Sequence, residues 1–344
     1  MDKFTRLVTE ADSDVARNLL ERDPKLVRQL HVVAKAQPRV FNGAFHRNVR
    51  VGNLLVRSPV AYADRLDLRL IPECDVLRAI KPHLGNRATR LVYEGEGWSV
   101  HMFDEGRLLH EVAPPNRPVP PLTLWETADL FSELAKVRWQ ELPLHLDWPA
   151  DGDSVAFGRR LAAYVAKHNR PEFRLLGIPD EPLEHICFER TTSRPFQLLH
   201  NDLHRRNVII RPDNHAVVVD WEMALVGDPV YEMATHLHYM GYSEEEQETV
   251  LRYWLEKMPP SSTEGWQSDL QVYLQFNQVK SAINDTSRVF KKIREGTLPS
   301  KAIRSMIADL TAVLNTAGRV WGQSTPREVD YVANVLRDFW SERG

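Results

Sequence analysis

Three oxygen-bearing side chains occur at spacings that suit the transfer of a phosphoryl group. The segment HNDLHRRN places Asp202 and Asn207 five positions apart, and the apolar runs NVII and AVVV lead on to Asp220. Phosphoryl transfer is catalysed mainly by positioning and charge neutralisation, so its site needs metal-holding oxygens around the phosphates and one acceptor for the attacking hydroxyl. A polar turn alone would not require this spacing, the flanking strands and His200 together. The pattern therefore indicates a catalytic loop followed by a hairpin.

The same residues resemble the catalytic segment of the aminoglycoside phosphotransferase and choline kinase family, whose members are distant relatives of protein kinases. The resemblance extends from about Arg39 to the last helices, and its most specific part is residues 200–234. It implies that Asp202 orients the substrate hydroxyl and accepts its proton, and that Asn207 and Asp220 hold Mg²⁺ at the phosphates of ATP or GTP. Two protein ligands suffice, because Mg²⁺ usually keeps several waters.

The histidines and arginines of the loop are interpreted through the same resemblance. His200 is expected to brace the loop by hydrogen bonds from its ring. His204 stands where protein kinases have a phosphate-contacting lysine, so it is expected to touch the γ-phosphate. Arg205 and Arg206 depart from the family, whose members commonly carry Pro or Gly at these positions. We expect both arginines to face solvent.

The residues after Asp220 indicate a kinase of small molecules rather than of proteins. Asp220 is followed by Trp221-Glu222, which resembles the small-molecule kinases, and the sequence has neither DFG there nor an APE segment after it. The segment GDPVYEMA is similar to the family's GDPxxDLA, with Glu232 in place of Asp. Acids are favoured in a first helical turn, so Asp228 and Glu232 are expected to begin and brace a helix.

Candidate nucleotide-binding residues lie in the preceding part of the chain. Gly43 belongs to NGAFHRN, between two apolar runs, where the family has its phosphate-covering loop. The run NLLVRSP places Arg57 where the kinase template has its phosphate-binding lysine, and the following helix supplies Glu73 as an ion-pair partner. The fork of arginine is always charged and suits phosphate. We therefore assign Gly43, Arg57, Glu73 and His204 to nucleotide binding.

The order of predicted elements is that of a bilobal, protein-kinase-like fold of the α+β class. Residues 1–38 predict a helical N-terminal extension, split at Asp23-Pro24. Residues 39–104 predict a nucleotide-binding N-lobe with a small antiparallel β-sheet and one helix. Residues 105–344 predict a mostly helical C-lobe with the catalytic loop and the acceptor site. Its helices are predicted at 122–138, 151–169, 229–257, 264–293, 298–317 and 326–341.

The composition argues against several other classes of protein. Lys+Arg 44 nearly balance Asp+Glu 47 without long single-sign runs, so no nucleic-acid partner is expected. No stretch reaches the ~18 apolar residues of a membrane span, and no apolar signal segment is present, so we expect a cytoplasmic protein without a membrane partner. Cys74 and Cys187 lack the spacing of a metal or disulfide framework and are expected to be reduced, buried thiols.

These patterns favour an O-phosphotransferase that uses a nucleoside triphosphate and a small-molecule hydroxyl acceptor, with antibiotic inactivation as one role. Two alternatives stay open: a metabolic kinase for a choline-like amino alcohol or a sugar, and a catalytically silent nucleotide-binding scaffold. Intact Asp202, Asn207 and Asp220 argue against the silent scaffold. The acceptor and the oligomeric state are not determined by these residues. Four acids that would attract a cationic acceptor are Glu222, Asp228, Asp269 and Asp285.

Overall fold

The computed structural model groups the chain into two compact units. It describes residues 2–37, 41–42, 46–60, 68–115, 117–144, 147–149, 151–295 and 300–341. The first unit comprises Met1–Leu146, Gln197–Val226 and Tyr239–Pro260, and the second comprises Asp147–Phe196, Gly227–His238 and Ser261–Gly344. The domain boundaries expected after residues 38 and 104 stay predictions.

Three short helices open the first unit: α1 (Lys3–Thr9), α2 (Ser13–Arg22) and α3 (Pro24–Ala36). Asp12 and Asp23 each cap a helix by accepting backbone N–H groups, and Pro24 occupies the first position of α3, where its missing N–H costs nothing. The buried residues of these helices share one apolar cluster with the β-sheet that follows. The predicted helical extension therefore shares a hydrophobic core with the sheet.

The sheet contains β1 (Phe41–Asn42), β2 (His46–Val51), β3 (Leu54–Pro59), β4 (Leu91–Gly95) and β5 (Trp98–Met102). Its strands pair antiparallel in the order β1-β2-β3-β5-β4. Helix α4 (Glu73–Leu84) precedes β4 and continues two residues past Pro82, although a proline commonly marks the end of a helix. Gly52 turns β2 into β3 at φ +60°, where any Cβ would lie 1.9 Å from the carbonyl oxygen of Val8. The turn therefore requires glycine.

The remaining elements are short strands and helices of 4 to 30 residues. The strands are β6 (Arg107–Leu108), β7 (Gln197–Leu199), β8 (Val208–Ile210), β9 (Ala216–Val218) and β10 (Leu225–Gly227), arranged as β6-β8-β9 and β7-β10. The helices are α5 (Leu109–Val112), α6 (Pro121–Leu134), α7 (Ser154–Ala166), α8 (Pro229–Met240), α9 (Glu244–Lys257), α10 (Pro260–Thr263), α11 (Trp266–Glu295), α12 (Ser300–Gly318) and α13 (Val329–Ser341).

One predicted helix, 229–257, is in fact two. The chain leaves α8 at Gly241, which has φ +60°, and α9 begins with a capping box in which Ser243 and Glu246 satisfy each other's backbone N–H groups. Among the described residues, no helix combines the length and apolar character that a bilayer crossing demands. The α+β class and the small antiparallel sheet are confirmed.

The two cysteines are both free thiols. Neither is fully buried, so the expectation of buried thiols is wrong. Cys187 is exposed and Cys74 is partly buried. Burial and the neighbouring carboxylate of Glu94 raise the pKa of Cys74 to about 12, so its thiol stays protonated at neutral pH.

Asp228 is the centre of a buried polar network in the second unit. Its carboxylate accepts two bonds from Nη1 of Arg194, at 2.7 and 2.6 Å, and one each from Ser154 Oγ and Tyr273 Oη, at 2.7 and 2.9 Å. Arg194 also donates to Asp269, and the side chains of all three charged residues are fully buried. Asp228 and Asp269 are fully buried and both contact Arg194, so these acids are not available to attract a cationic acceptor.

The same carboxylate begins a helix. Oδ1 of Asp228 accepts the N–H of Val230 at 2.8 Å, at the start of α8. This confirms the expectation that Asp228 is a helix-start residue.

We predict that Asp228→Asn lowers the free energy of unfolding by about 3–5 kcal/mol. Arg194 keeps Asp269, but the substitution removes the charge of a fully buried carboxylate that Arg194, Ser154 and Tyr273 all contact. Urea denaturation followed by tryptophan fluorescence measures the loss. Glu189→Gln is the control, since Glu189 pairs with Arg159 on the surface of the same unit, where ion pairs contribute about 0–1 kcal/mol. Equal losses in the two variants would contradict the prediction.

Candidate functional site

The hairpin of β8 and β9 brings together the two residues predicted to hold a metal ion. The N–H of Val219 donates to the carbonyl of Asn207 at 3.0 Å, so Asn207 and Asp220 flank the same end of the hairpin. At the other end the turn uses Asn214 at φ +67°, a conformation that Asn adopts more readily than most residues. Local turn chemistry and the two apolar strands thus set the separation of these side chains.

Asp202 and Asn207 are in direct contact on the loop before the hairpin. Nδ2 of Asn207 donates to Oδ2 of Asp202 at 3.0 Å and to its backbone carbonyl at 2.8 Å. Asn207 is buried, whereas a third of the Asp202 side chain is exposed. The carboxylate of Asp202 is therefore held by Asn207 and keeps part of its surface exposed.

His200 and Asn201, which directly precede Asp202, hold the backbone of the loop. Nε2 of the buried His200 donates to the carbonyl of Val219 at 3.1 Å, and its Nδ1 accepts from the N–H of Asp202 at 3.3 Å. These contacts assign the neutral tautomer with hydrogen on Nε2. Asn201 has φ +64°, and its Nδ2 donates to the carbonyl of Met223 at 3.1 Å. His200 thus braces the loop as predicted.

His204 faces the same carboxylate as Asn207 does. Its Nε2 lies 3.5 Å from Oδ2 of Asp202, and its Nδ1 accepts the N–H of Arg206 at 3.1 Å. Burial lowers the pKa of His204 despite the opposing charge of Asp220, so the ring is neutral at neutral pH. The structure thus offers an N–H donor at this position rather than a cation. The contact with the γ-phosphate stays a prediction.

Arg57 joins three segments of the first unit. From β3, its Nη1 donates to both carboxylate oxygens of Glu73 at 2.5 and 2.7 Å, and its Nη2 donates to Oδ1 of Asp220 at 3.2 Å. Oε1 of Glu73 also accepts the N–H of Trp221 at 3.2 Å. Burial alone would lower the pKa of Arg57, but the charges of Glu73, Asp220 and Glu222 more than offset it and the pKa is raised. The predicted pair of Arg57 and Glu73 is present.

The contacts of two residues beside Arg57 are not visible in any motif. Nδ1 of His46, the first residue of β2, lies 3.0 Å from Oε2 of Glu222 and 3.3 Å from Nη2 of Arg57. Burial raises the pKa of Glu222, against the opposing effects of His46 and Arg57. Their proximity depends on the neighbouring strands β2 and β3 and on the segment after β9, which is distant from them in sequence. The predicted phosphate-covering residue Gly43 lies outside the described residues.

The part of the sequence that matches a known protein family includes Glu73, the loop of Asp202 and the β8–β9 hairpin. Residues 62–267 match the phosphotransferase enzyme family (APH), which is more than half of the 344 residues. The chain belongs to this family. No curated protein matches the sequence of this phosphotransferase.

Solved structures with the same architecture include three members of small-molecule kinase families. The choline/ethanolamine kinase family protein of Mesorhizobium loti has a TM-score of 0.52 at 14% identity, over 95% of this chain and 99% of that one. An ethanolamine kinase of Plasmodium vivax has a TM-score of 0.53 at 14% identity, over 91% and 96%. The ADP-bound aminoglycoside phosphotransferase APH(2'')-Ib has a TM-score of 0.53 at 16% identity, over 87% and 99%. These likenesses confirm the predicted protein-kinase-like fold class.

One expectation for the loop of this phosphotransferase is wrong. Arg205 does not face solvent: it is 3% exposed, and its guanidinium donates to the backbone carbonyls of two other chain segments. Arg206 is exposed, as expected. A charged loop residue usually faces solvent. The sequence could not show otherwise, because the carbonyls that accept from Arg205 belong to segments brought near it only by the tertiary structure.

A cavity of about 460 Å³ in the first unit lies beside Arg57. A second cavity, of about 480 Å³ in the second unit, is lined by none of the predicted site residues. The first-unit cavity is bordered by the end of β3, the start of α4 and the hairpin of β4 and β5. Among the side chains that line it are His46, Arg57, Glu73, Trp98 and Glu222. The ion-pair cluster is therefore within reach of a small molecule.

We predict that Glu73→Gln lowers the free energy of unfolding by about 1–3 kcal/mol. Removal of one partner from a buried ion pair costs about 3–5 kcal/mol, and Arg57 keeps Asp220 as a second partner, so the loss should lie below that range. Chemical denaturation of Glu94→Gln gives the comparison, because Glu94 pairs with the exposed Arg78 in the same unit. A Glu73→Gln loss no larger than that of Glu94→Gln would show that the buried pair is not stabilising.

Proposed function

We propose that this phosphotransferase moves the γ-phosphoryl group of ATP or GTP to a hydroxyl of a small molecule, with Mg²⁺ bound at the phosphates. The observation that carries the proposal is the position of Arg57, which contacts Glu73 and Asp220 together. In kinases, a strand cation paired with a helix glutamate, and a metal-binding aspartate in place, are the conditions for phosphoryl transfer. A location in the cytoplasm is part of the proposal, because nucleoside triphosphates and Mg²⁺ are available there.

Asp202 is proposed to align the acceptor hydroxyl and to take its proton late in transfer. Its Oδ2 is held by the amide of Asn207, and the side chain keeps a third of its surface exposed. The amide fixes the direction of the carboxylate, so an incoming hydroxyl meets a positioned acceptor. A loose phosphoryl-transfer transition state needs little proton removal, and alignment is therefore the larger part of this role.

The residues present fit Mg²⁺ with a small number of protein ligands. Both hydrogens of the Asn207 amide group point to Asp202 oxygens, which leaves Oδ1 as its ligand atom, and Asp220 adds a carboxylate that is 37% exposed. Among the described residues, no three His, Cys, Asp or Glu side chains form a metal-binding group. Mg²⁺ suits this arrangement because it takes hard oxygen ligands, keeps several waters and shares the phosphates of the nucleotide. Bound there, it would neutralise phosphate charge.

Arg57 and His204 are proposed to contact the phosphates of the donor, and Glu73 to hold Arg57 in position. The guanidinium already has carboxylates on Nη1 and Nη2, so a phosphate would compete with Asp220, at 3.2 Å, rather than with the shorter contacts to Glu73. His204 would add a neutral N–H donor. Gly43 stays a proposed residue of the phosphate-covering loop.

The acceptor decides between antibiotic inactivation and a metabolic role. A panel of aminoglycosides, macrolides, choline, ethanolamine and sugars, screened for stimulated release of ADP or GDP, tests the acceptor class directly. Phosphorylation of an antibiotic at micromolar concentration supports inactivation, and phosphorylation of an amino alcohol or sugar supports metabolism. A protein that binds Mg²⁺ and nucleotide but phosphorylates no member of the panel is better described as a silent scaffold.

We predict that Asp202→Asn lowers kcat by about 10²–10⁴-fold, toward the low end, with little change in nucleotide affinity. The substitution keeps the size of the side chain and removes its basic oxygen. Steady-state kinetics with the acceptor from the screen measure kcat, and calorimetry of nucleotide binding verifies the fold. Asp213→Asn, in the exposed turn of the hairpin, is the matched control and should keep wild-type kcat. Wild-type turnover by Asp202→Asn would refute the role of this loop.

We predict that Asp220→Asn lowers kcat by about 10²-fold or more and raises the Mg²⁺ concentration needed for half-maximal rate. The variant loses a charged ligand oxygen, whereas Arg57 keeps Glu73. Rates measured across a Mg²⁺ titration, with Asp213→Asn in parallel, separate the loss of metal affinity from a general loss of activity. Unchanged Mg²⁺ dependence and rate would make Asp220 only a strand-end residue.

A further inference from the structure

Arg205 is a buried cation whose observed partners are backbone carbonyls. Its guanidinium donates to the carbonyls of Met240 and Gly241 and to those of Ala113, Pro114 and Arg117, at distances of 2.6–3.2 Å. The residue is 3% exposed. Five carbonyl dipoles thus replace the hydration of a charge that cannot be removed by deprotonation.

These carbonyls belong to two segments of the first unit that approach the loop. Ala113 is the C-cap of α5, and Pro114 and Arg117 follow it in the proline-rich segment. Met240 is the last residue of α8, and Gly241 turns the chain at φ +60°. The last carbonyls of a helix lack partners within the helix and carry partial negative charge, so they are favourable acceptors for a cation.

The backbone of Arg205 is held as well as its side chain. Its carbonyl accepts the N–H of His110, in α5, at 2.9 Å. Two residues further on, the N–H of Asn207 donates to the carbonyl of His204, also at 2.9 Å, and the amide of Asn207 holds Asp202. Arg205 therefore lies in the middle of the turn between Asp202 and Asn207. That turn is held both through the backbone carbonyl of Arg205 and through its guanidinium.

We infer that Arg205 is a positioning residue for phosphoryl transfer: it clamps the loop of Asp202 and Asn207 to the proline-rich segment and to the end of α8. The inference rests on the proposed function only for its kinetic consequence, because the clamp itself is a property of the fold. A displacement of about 1 Å at a reacting group can cost about 10²-fold in rate. A residue that never meets substrate can thus control kcat.

Arg327 provides a matched control in the second unit. It is also a buried arginine, 8% exposed, and its guanidinium donates to the carbonyls of Leu176, Gly177 and Leu314 at 2.6–3.0 Å. Arg205→Lys and Arg327→Lys make the same chemical change, since lysine keeps the charge but replaces a planar fork by a single nitrogen. Both variants should lose thermal stability, but only Arg205→Lys should change the loop of Asp202.

Amide hydrogen exchange measures the clamp without any assumption about activity. In Arg205→Lys we expect exchange about 10-fold faster in peptides that cover residues 110–117 and 200–208. In Arg327→Lys these peptides should exchange at the wild-type rate, and residues 174–178 and 314–327 should change instead. Equal protection of 200–208 in the two variants would overturn the inference, whether or not an acceptor is known.

The kinetic consequence is measured with Mg²⁺ and ATP, using the acceptor from the panel or water as a slow acceptor. Arg205→Lys should lower kcat by about 10–100-fold with the KM for ATP within about threefold, and Arg327→Lys should keep kcat within twofold. Equal kcat values in these variants would overturn the positioning role. Absence of turnover in the wild type would instead refute the proposed function, and the exchange result would stand by itself.

A second variant covers the case in which Arg205→Lys does not fold. Gly241→Ala leaves Arg205 in place and strains the turn that presents one of its acceptors, because a Cβ at φ +60° is unfavourable although its nearest neighbour, Cβ of Pro115, is 4.0 Å away. Faster exchange in 200–208 and a kcat about three- to tenfold lower are expected. Wild-type exchange and kcat in a destabilised Gly241→Ala protein would count against the clamp.

Discussion

The burial of the Arg57 guanidinium is the constraint on which the site depends. A guanidinium is always charged, so it is tolerated in the interior only where carboxylates and carbonyls surround it. Glu73 supplies two oxygens and Asp220 supplies a third, and Glu73 in turn accepts the N–H that follows Asp220. The start of α4, the middle of β3 and the end of the β8–β9 hairpin are therefore held together by one charge. The same contacts place a cation beside an acid that is suited to a metal ion.

Backbone conformation at two residues completes this arrangement. Among the described residues, the non-glycine residues with positive φ are Asn201, Asn214 and Asp220. Asn201 directly precedes Asp202, and Asp220 is itself one of the proposed site residues. Such conformations cost free energy and persist where surrounding contacts determine them. Asn201 is held by its bond to Met223, and Asp220 by Arg57. The side chains of Asp202 and Asp220 are presented by turns that regular strand geometry would not allow.

Buried arginines recur among the described residues, and their guanidinium groups donate to two different kinds of acceptor. Arg57 and Arg194 have carboxylate partners, whereas Arg205 and Arg327 donate to backbone carbonyls. Carboxylate partners build clusters of charge, and one of these clusters contains Asp220. Carbonyl partners instead fasten chain segments that end or turn, because those segments have acceptors left over. Arg205 lies on the loop of Asp202 and Asn207, so both kinds of buried arginine occur in the first unit beside the proposed site residues.

The sequence by itself determined the features that depend on neighbouring residues. The spacing of Asp202, Asn207 and Asp220 and the apolar runs between them predict the hairpin, because hydrogen bonds within a few residues decide it. The pair of Arg57 and Glu73 followed from the resemblance to the kinase template. Its role in binding nucleotide, like the role of Asp202, stays a prediction because the sequence does not show what enters the site.

Tertiary structure alone decided the features that depend on distant segments. The partners of Arg205 lie about 35 and 90 residues away in sequence, and those of Asp228 lie on separate helices and loops, so no local pattern distinguishes these charges from solvated ones. The break of the predicted helix 229–257 also required context, since a single glycine within an apolar pattern is compatible with a continuous helix. A charge in the interior is stable only where several segments converge on it, and that convergence is a property of the folded chain.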